Sequence, residues 1–184
     1  MEKIVNNRQK LDRVKKPNLW LPVVKELGLL LGKIVSVILI FVLLLTFQFG
    51  FVRYQDLGMS PIIKDWDLVI FYRYNSSGYQ AQDVVVVKFN GQNQVSRVIA
   101  TAGDTVDIVG EDLFINGALQ QEANIFKPTY SYSEGIEFPI TVPEGYIFVL
   151  GDNRTNSTDS RLYGCVKISE SLGKVMLVIK RRGI

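Results

Sequence analysis

One run of fourteen residues near the carboxyl end of the chain holds paired charges at a spacing that could brace a reactive site. It reads Gly151-Asp-Asn-Arg-Thr-Asn-Ser-Thr-Asp-Ser-Arg-Leu-Tyr-Gly164, with acids at Asp152 and Asp159 and bases at Arg154 and Arg161. Carboxylates and guanidinium groups this close in sequence form charge-assisted hydrogen bonds. Such pairs either hold catalytic groups in place or make a rigid turn without chemistry. The choice depends on whether the chain supplies a nucleophile and a base.

The composition excludes several kinds of catalytic and metal site. The 184 residues include no histidine, which excludes a Ser-His-Asp triad, a Cys-His dyad and a histidine-ligated metal. The single cysteine, Cys165, cannot form an internal disulfide or complete a cysteine-rich zinc site. We expect it to be a buried structural thiol, and we expect neither a cofactor nor a metal.

The charge of the chain is concentrated at its amino end. Residues 1–33 carry eight Lys and Arg against three acids, whereas the remainder carries 13 basic and 15 acidic residues. The basic excess therefore belongs to a tail and not to a domain, so no nucleic-acid partner is expected.

An apolar segment follows the basic tail. Residues 34–51 form a run of eighteen without a charge, and residues 27–33 extend it on the near side. About 20 apolar residues are needed to cross about 30 Å of hydrocarbon as a helix, so we expect a transmembrane anchor at 27–51. A buried core helix and a cleaved secretory signal are the alternatives, although no A-x-A-like cleavage site follows the segment.

The flanks of this segment predict its orientation in a cell membrane. Basic flanks stay in the cytoplasm, so we expect a cytoplasmic tail at 1–26 and an extracellular domain at 52–184. Trp20 and Tyr54 lie where aromatic residues would contact the two membrane interfaces.

Beyond the anchor, the sequence changes to short runs rich in β-branched and aromatic residues. Turn signals such as Asn90-Gly91 and Asn116-Gly117 separate these runs, which predicts antiparallel strands. The predicted fold class is mainly β, with an N-terminal transmembrane helix followed by an antiparallel β domain that folds as one unit. The stretch from Gln120 to Pro139 has no strong period and is predicted to be a long loop or flap. Strands are predicted at 67–72, 83–88, 94–100, 105–109, 113–115, 146–150 and 169–180.

Four blocks of the chain resemble those of type I signal peptidases, the membrane-bound serine proteases that remove signal peptides. Residues 151–164 match ten of fourteen positions in GDNR-x-NS-x-DSR-x-x-G. Residues 58–67 match the spacing of S-M-x-P-T-[LIM]-x-x-G-D, and residues 82–87 resemble G-D-V-V-V-F. Residues 96–104 resemble K-R-V-[IV]-G-x-x-G-D. The resemblance implies a signal-peptidase-like β domain whose site would hold a serine and a lysine.

Both residues of that dyad are replaced in this chain. The serine position holds Gly58 and the lysine position holds Ser96. In the family, the serine hydroxyl attacks the peptide carbonyl after a buried, neutral lysine takes its proton. Glycine offers no oxygen and serine no basic nitrogen, and losing either member of such a unit removes several orders of magnitude of rate. We therefore predict no intact catalytic residues.

Four other residues bear on whether the missing groups are replaced. Ser60 lies two residues after Gly58, and on a strand this step would keep the same face, so Ser60 is the fallback nucleophile. Lys88 and Lys64 are candidate bases, although each is more simply a solvated lysine. Asp56 lies where a small residue beside the oxyanion is usual, and an acid there would repel the developing negative charge.

The remaining matches imply structural and binding roles. The resemblance pairs Arg97 with Asp152 and Asp159 with Arg161, and it gives Ser157 the former role of orienting the lysine. The expected substrate groove contains Asp56, Met59 and Pro61.

The function predicted from these observations is binding without cleavage. A catalytically inactive, membrane-anchored member of the family would hold exported polypeptides at the outer membrane surface as an assembly or chaperone factor. Signal-peptidase-like accessory proteins encoded with pilins and sortases in Gram-positive bacteria resemble this chain, which implies pilin subunits, and a sortase, as partners. The alternative is an active, divergent signal peptidase with Ser60 as nucleophile.

Overall fold

The computed structural model describes residues 20–73, 78–123, 125 and 127–181. The part of the predicted basic tail that precedes Trp20 lies outside the described residues. The chain divides into two compact units, residues 1–44 and 45–184.

A single long helix, α1 (Trp20–Gln48), contains the apolar segment as far as Gln48. Its Pro22–Gln48 portion has a mean hydropathy of 2.8 and is long and apolar enough to cross a membrane. The helix ends three residues before the predicted end of the anchor, because Phe49, Gly50 and Phe51 pair with a strand instead.

The structure also contradicts the placement of Tyr54 at a membrane interface. Its side chain is only 2% exposed, and its hydroxyl accepts a hydrogen bond from the Met59 amide at 2.9 Å. A residue enclosed in the core of the β unit cannot contact lipid.

The strands in the rest of the described chain form two antiparallel sheets. The larger has the order β1-β2-β11-β3-β4-β9-β10 and the smaller has the order β7-β6-β5-β8. The strands are β1 (Phe49–Arg53), β2 (Leu68–Tyr72), β3 (Val84–Phe89), β4 (Gln92–Thr101), β5 (Thr105–Val109), β6 (Asp112–Ile115), β7 (Ala118–Leu119), β8 (Ile140–Thr141), β9 (Tyr146–Leu150), β10 (Val166–Lys167) and β11 (Ser171–Ile179). The antiparallel β domain predicted from the sequence is therefore confirmed.

Runs of β-branched residues explain why these segments are strands. In β3, Val85, Val86 and Val87 are fully buried, so both faces of this strand are covered. Their side chains divide between two clusters, with Val86 packed beside Met59 in one and Val85 and Val87 in the other. A continuous apolar strand inside a sheet is typical of such two-sided burial.

In the last strand, β11, Gly173 allows the backbone of a neighbouring strand to approach very closely. The pairing of β11 with β3 shifts register between Ser171 and Gly173. Gly173 has a φ of 149°, and a Cβ added there would lie 2.0 Å from the carbonyl oxygen of Tyr72. Only glycine fits this position without moving the neighbouring backbone.

Gly173→Ala is expected to lower the free energy of unfolding by about 3 kcal/mol, since overpacking typically costs 1–3 kcal/mol and backbone strain adds to it. Chemical denaturation of the full chain in detergent, followed by fluorescence, measures the change. Gly103→Ala is the matched control, because Gly103 also has a positive φ, of 89°, but a Cβ there would meet nothing within 4 Å. Equal losses in the two variants would contradict the role given to the close approach.

Candidate active site

The run 151–164 begins directly after β9 and ends two residues before β10. Asp159 caps the short helix α2 (Ser160–Tyr163), and its side chain accepts a hydrogen bond from the Arg161 amide. The Ser160 hydroxyl accepts a hydrogen bond from the Val149 amide at 3.0 Å. These bonds fix the run against β9, because a side-chain oxygen satisfies each free amide.

A buried ion pair lies at the centre of the run. Arg161 Nε and Nη2 donate to the two carboxylate oxygens of Asp159 at 2.9 and 2.8 Å. The side chains are 1% and 0% exposed. The same carboxylate accepts the Gly151 amide at 3.1 Å and the Ser157 hydroxyl at 2.6 Å. Burying two charges is tolerable only when the remaining hydrogen-bonding capacity is also filled. Here five donors from three residues fill it, since the Arg161 amide also donates to this carboxylate.

A second buried arginine, Arg154, connects the run to the long loop. Its Nη1 lies 2.6 Å from Glu122 Oε2 and donates to the Thr129 hydroxyl at 2.5 Å. Its Nε donates to the Gly151 carbonyl at 3.0 Å. The described part of the 120–139 segment is therefore held against the run by polar contacts, as an ordered loop.

Arg161 holds the same loop at a second point. Its Nη1 donates to the Tyr130 carbonyl at 2.9 Å and its Nη2 to the Tyr132 hydroxyl at 2.9 Å. The Tyr132 ring lies under the guanidinium, with the charged carbon 4.4 Å from the ring centroid. The Tyr132 hydroxyl in turn donates to the Ser157 carbonyl at 2.6 Å, so one tyrosine connects the loop, the arginine and the serine.

Arg97 and Asp152 form a bidentate pair at the base of the site. Arg97 Nε donates to Asp152 Oδ1 at 2.7 Å and Nη2 to Oδ2 at 2.6 Å. The hydrogen bond to Asp152 raises the pKa of Arg97 above its ordinary value. Because Arg97 lies on β4 and Asp152 follows β9, the pair connects the two strands beyond their last backbone pairing, Arg97 with Leu150.

Gly58, at the family's serine position, lies in a buried turn against the run. Its carbonyl accepts the Asn153 amide at 2.8 Å. A Cβ added to Gly58 would lie 3.2 Å from both Asp56 Oδ2 and Ser157 Cβ, whereas one added to Gly151 would lie 2.6 Å from the Gly58 carbonyl. The run and the turn thus approach closely because residues on both sides lack a side chain.

The Asp56 carboxylate occupies the backbone donors of this turn. Its Oδ1 accepts the Leu57 amide at 2.6 Å and the Gly58 amide at 3.3 Å. Acyl-transfer enzymes use backbone N–H groups beside the nucleophile to stabilise an oxyanion. In this chain Asp56 Oδ1 already accepts a hydrogen bond from the amide of Gly58, the residue at the predicted nucleophile position.

Ser96, at the family's lysine position, is 2% exposed and lies on β4. The Tyr163 hydroxyl is buried beside it and has no hydrogen bond of normal geometry to any described residue. Burial raises the pKa of Tyr163, the charge of Asp159 raises it further, and the proximity of Ser96 opposes the shift.

The two predicted dyad positions lie near a shared set of residues. A Cβ added to Gly58 would lie 3.2 Å from Ser157 Cβ, and the Ser157 hydroxyl donates to Asp159 at 2.6 Å. Asp159 and Ser96 both influence the pKa of the Tyr163 hydroxyl. On the apolar side, Val95 and Met59, the neighbours of Ser96 and Gly58, belong to one buried cluster.

The other candidate residues lie as follows. Ser60 is in a turn, with its amide bonded to the Leu57 carbonyl, so the argument that a strand would keep it on the face of Gly58 does not apply. Lys88 and Lys64 are exposed. Within the described residues, the one lysine paired to an acid is Lys174, whose Nζ lies 2.6 Å from Asp83 Oδ1.

A small polar concavity opens beside the turn and the run. It has a volume of about 200 Å³. Of the three residues assigned to the groove, Asp56 lines it, Met59 is fully buried, and Pro61 is exposed on the turn. The lining residues are Asp56, Tyr132, Thr155, Asn156, Ser157 and Thr158.

Sequence reasoning missed three residues that complete the polar network. Glu122, Thr129 and Tyr132 all lie in the segment predicted as a loop or flap, far from the run in sequence. The available signal was the second arginine. If Asp152 pairs with Arg97, the run has two arginines but only Asp159 left to pair with them. A second buried arginine therefore requires an acceptor from elsewhere in the chain.

Comparison with known proteins places the chain in a family. A family model described as signal peptidase, peptidase S26, matches residues 27–180. Signal peptidase IB of Staphylococcus aureus is 32% identical over 166 residues, which cover 79% of this chain and 87% of that protein. Signal peptidase I U of Bacillus subtilis is 29% identical over 140 residues, covering 70% and 75% of the two chains.

Two further proteins are similar over shorter portions. Thylakoidal processing peptidase 1 of Arabidopsis thaliana is 34% identical over 114 residues, which cover 59% of this chain and only 30% of that protein. The crystal structure of a signal peptidase I from Enterococcus faecalis has 31% identity and a TM-score of 0.46, covering 55% of this chain and 100% of that chain. Since the family model matches most of its length, the chain belongs to the type I signal peptidase (peptidase S26) family.

Proposed function

We propose that this protein is a catalytically inactive family member that binds exported polypeptides without cleaving them. The observation that carries the proposal is the turn at Gly58, where the nucleophile's oxygen is missing and the Asp56 carboxylate lies 3.3 Å from the amide that would support an oxyanion. Ser96 supplies no base in place of the lysine. Three separate requirements of acyl transfer are therefore unmet at one site.

The proposed binding surface is the edge of β4 at its start, where Gln92 and Asn93 are exposed. Residues 92–96 pair with β3, whereas the described pairing of β4 with β9 begins only at Arg97. An extended polypeptide can add to such an edge through backbone hydrogen bonds. The polar concavity lined by Asp56 and Ser157 would then receive side chains of the bound segment.

The proposal includes a place in the cell and a class of partner. Helix α1 would anchor the protein in the cell membrane as a single span, with tail 1–26 cytoplasmic and domain 52–184 extracellular. Relatives are named signal peptidases, and such enzymes act on exported polypeptides. We propose pilin subunits as the polypeptide and a sortase as a further partner, in an assembly or chaperone role of the pilus-accessory type.

The second candidate function is signal-peptide cleavage by a divergent mechanism with Ser60 as nucleophile, and the names of the relatives favour it. We expect the full chain in detergent to release no signal peptide from a precursor polypeptide above the rate of a protein-free blank. Mass spectrometry of the precursor measures cleavage. Ser60→Ala is expected to change nothing, and cleavage that disappears in this variant would contradict the proposal.

Restoring the dyad alone is expected to recover little activity. In Gly58→Ser with Ser96→Lys, the new Cβ at position 58 would lie 3.2 Å from Asp56 Oδ2, and the carboxylate would still occupy the amide. Adding Asp56→Ala frees this donor, so we expect the triple variant to cleave a precursor about 10²-fold faster than the double variant, the typical effect of one oxyanion donor.

The matched control for this comparison replaces Asp56→Ala with Asp65→Ala, which removes an exposed acid from the same turn region. We expect the control to leave the double variant unchanged. An equal gain from both substitutions would mean that general electrostatics, and not the Gly58 amide, limits the reaction.

Polypeptide binding is expected to depend on the concavity. Thr158 is exposed and lines it, so Thr158→Trp should fill the space and weaken binding of a labelled precursor at least about fivefold, the equivalent of about 1 kcal/mol. Fluorescence anisotropy with the full chain in detergent measures the affinity. Thr141→Trp, on exposed strand β8 of the other sheet, is the control and should bind normally. Equal affinities for the two variants would place the binding surface elsewhere.

A further inference from the structure

A second concavity lies away from the candidate active site, where the ends of three strands meet. Arg53 at the end of β1 pairs with Leu68 at the start of β2, and Leu68 pairs with Ile179 at the end of β11. The concavity at these ends has a volume of about 620 Å³. It is lined by Arg53, Trp66, Leu68, Ile179, Lys180 and Arg181.

The lining has three cations and no acid. Arg53, Lys180 and Arg181 are all exposed, and none of them forms a salt bridge within the described residues. The neighbouring acid, Asp67, is 2% exposed. Its two oxygens already accept the backbone amides of Arg181 and Lys64, each at 2.9 Å. Among the described residues no acid forms a salt bridge with these cations, which favours an anionic ligand.

Trp66 has a backbone conformation that glycine adopts more easily than other residues do. Its φ is 70°, a value that is an outlier for a bulky residue. The first block of the family resemblance, in which G precedes D, has glycine at this position. A tryptophan there costs conformational energy, yet its side chain is 44% exposed, so core packing does not account for it.

The indole instead forms a wall of the concavity. The Arg53 guanidinium carbon lies 5.9 Å from the Trp66 ring centroid, within the range of a cation–π contact. A ring in this position holds the guanidinium while leaving its N–H groups able to donate to a ligand. Guanidinium groups bind phosphate through two parallel hydrogen bonds.

The chain places this concavity within reach of lipid headgroups. Arg53 follows the last residue of helix α1, Gln48, by five residues. Five extended residues span at most about 17 Å, and the headgroup layer begins where the hydrocarbon-crossing helix ends. Tryptophan and arginine are the side chains that anchor proteins at this layer.

We propose that Arg53, Trp66, Lys180 and Arg181 form a binding site for the phosphate of an anionic phospholipid headgroup. The site would fix the β unit against the membrane surface independently of polypeptide binding. Each arginine or lysine contributes about fivefold to the affinity of a protein for an anionic membrane surface, so three convergent cations would select anionic over zwitterionic lipid.

Native mass spectrometry of the full chain in uncharged detergent tests the proposal, with equimolar phosphatidylglycerol and phosphatidylcholine added. We expect phosphatidylglycerol to be retained in preference to phosphatidylcholine, and Arg53→Gln to reduce this preference about fivefold. Lys167→Gln is the matched control, because Lys167 also lies 5.9 Å from an aromatic ring, that of Tyr146, at the opposite edge of the sheet. Equal retention of both lipids, or an equal effect of the two substitutions, would overturn the proposal.

Trp66→Gly separates binding from folding. Glycine relieves the positive φ, so this variant should unfold at the same temperature as the wild type or higher, while losing the preference for phosphatidylglycerol. A stable Trp66→Gly protein that keeps the preference would overturn the proposed role of the indole. Excess sn-glycerol 3-phosphate distinguishes the source of the phosphate: we expect it not to displace the lipid, and full displacement would mean that the site binds a soluble phosphate ester and not a membrane lipid.

Discussion

The buried pair of Asp159 and Arg161 is the interaction on which the rest of the site depends. Its two charges are almost completely removed from water, and removing one partner of such a pair costs 3–5 kcal/mol because the other charge is left uncompensated. The Asp159 carboxylate also accepts the Gly151 amide and the Ser157 hydroxyl. The ion pair therefore fixes the positions of the residues that contact the Gly58 turn.

Arg161 and Arg154 together explain how a long segment without regular structure is held in place. Arg154 contacts Glu122 and Thr129, and Arg161 contacts Tyr130 and Tyr132. A loop of this length needs favourable contacts to offset its conformational entropy. The two guanidinium groups supply polar contacts, and Ile136 and Phe138 add apolar packing against a core cluster.

The sequence was sufficient to predict the β fold, because alternating turns and β-branched runs specify antiparallel strands locally. All seven predicted strands start and end within two residues of their observed positions, and 105–109 and 146–150 match at both ends. It was insufficient for the end of helix α1, since the pairing of Phe49 with Tyr72 across the sheet overrides the apolar character of the segment. It also could not show that Tyr54 is buried or that Tyr132 joins the site, because both depend on contacts between distant segments.

The polar groups around Gly58 show what a site without its dyad requires. An unpaired buried donor or acceptor costs about 1–3 kcal/mol, so a family member that loses a serine and a lysine must find other partners for the groups they leave. Ser157 is bonded to Asp159, and the Gly58 amide is bonded to Asp56. Among the described residues, two buried side-chain atoms have no such bond: the Tyr163 hydroxyl beside Ser96, and Gln94 Oε1 on the same strand as Ser96. The polar groups are therefore paired at the Gly58 turn and incompletely paired on β4 near Ser96.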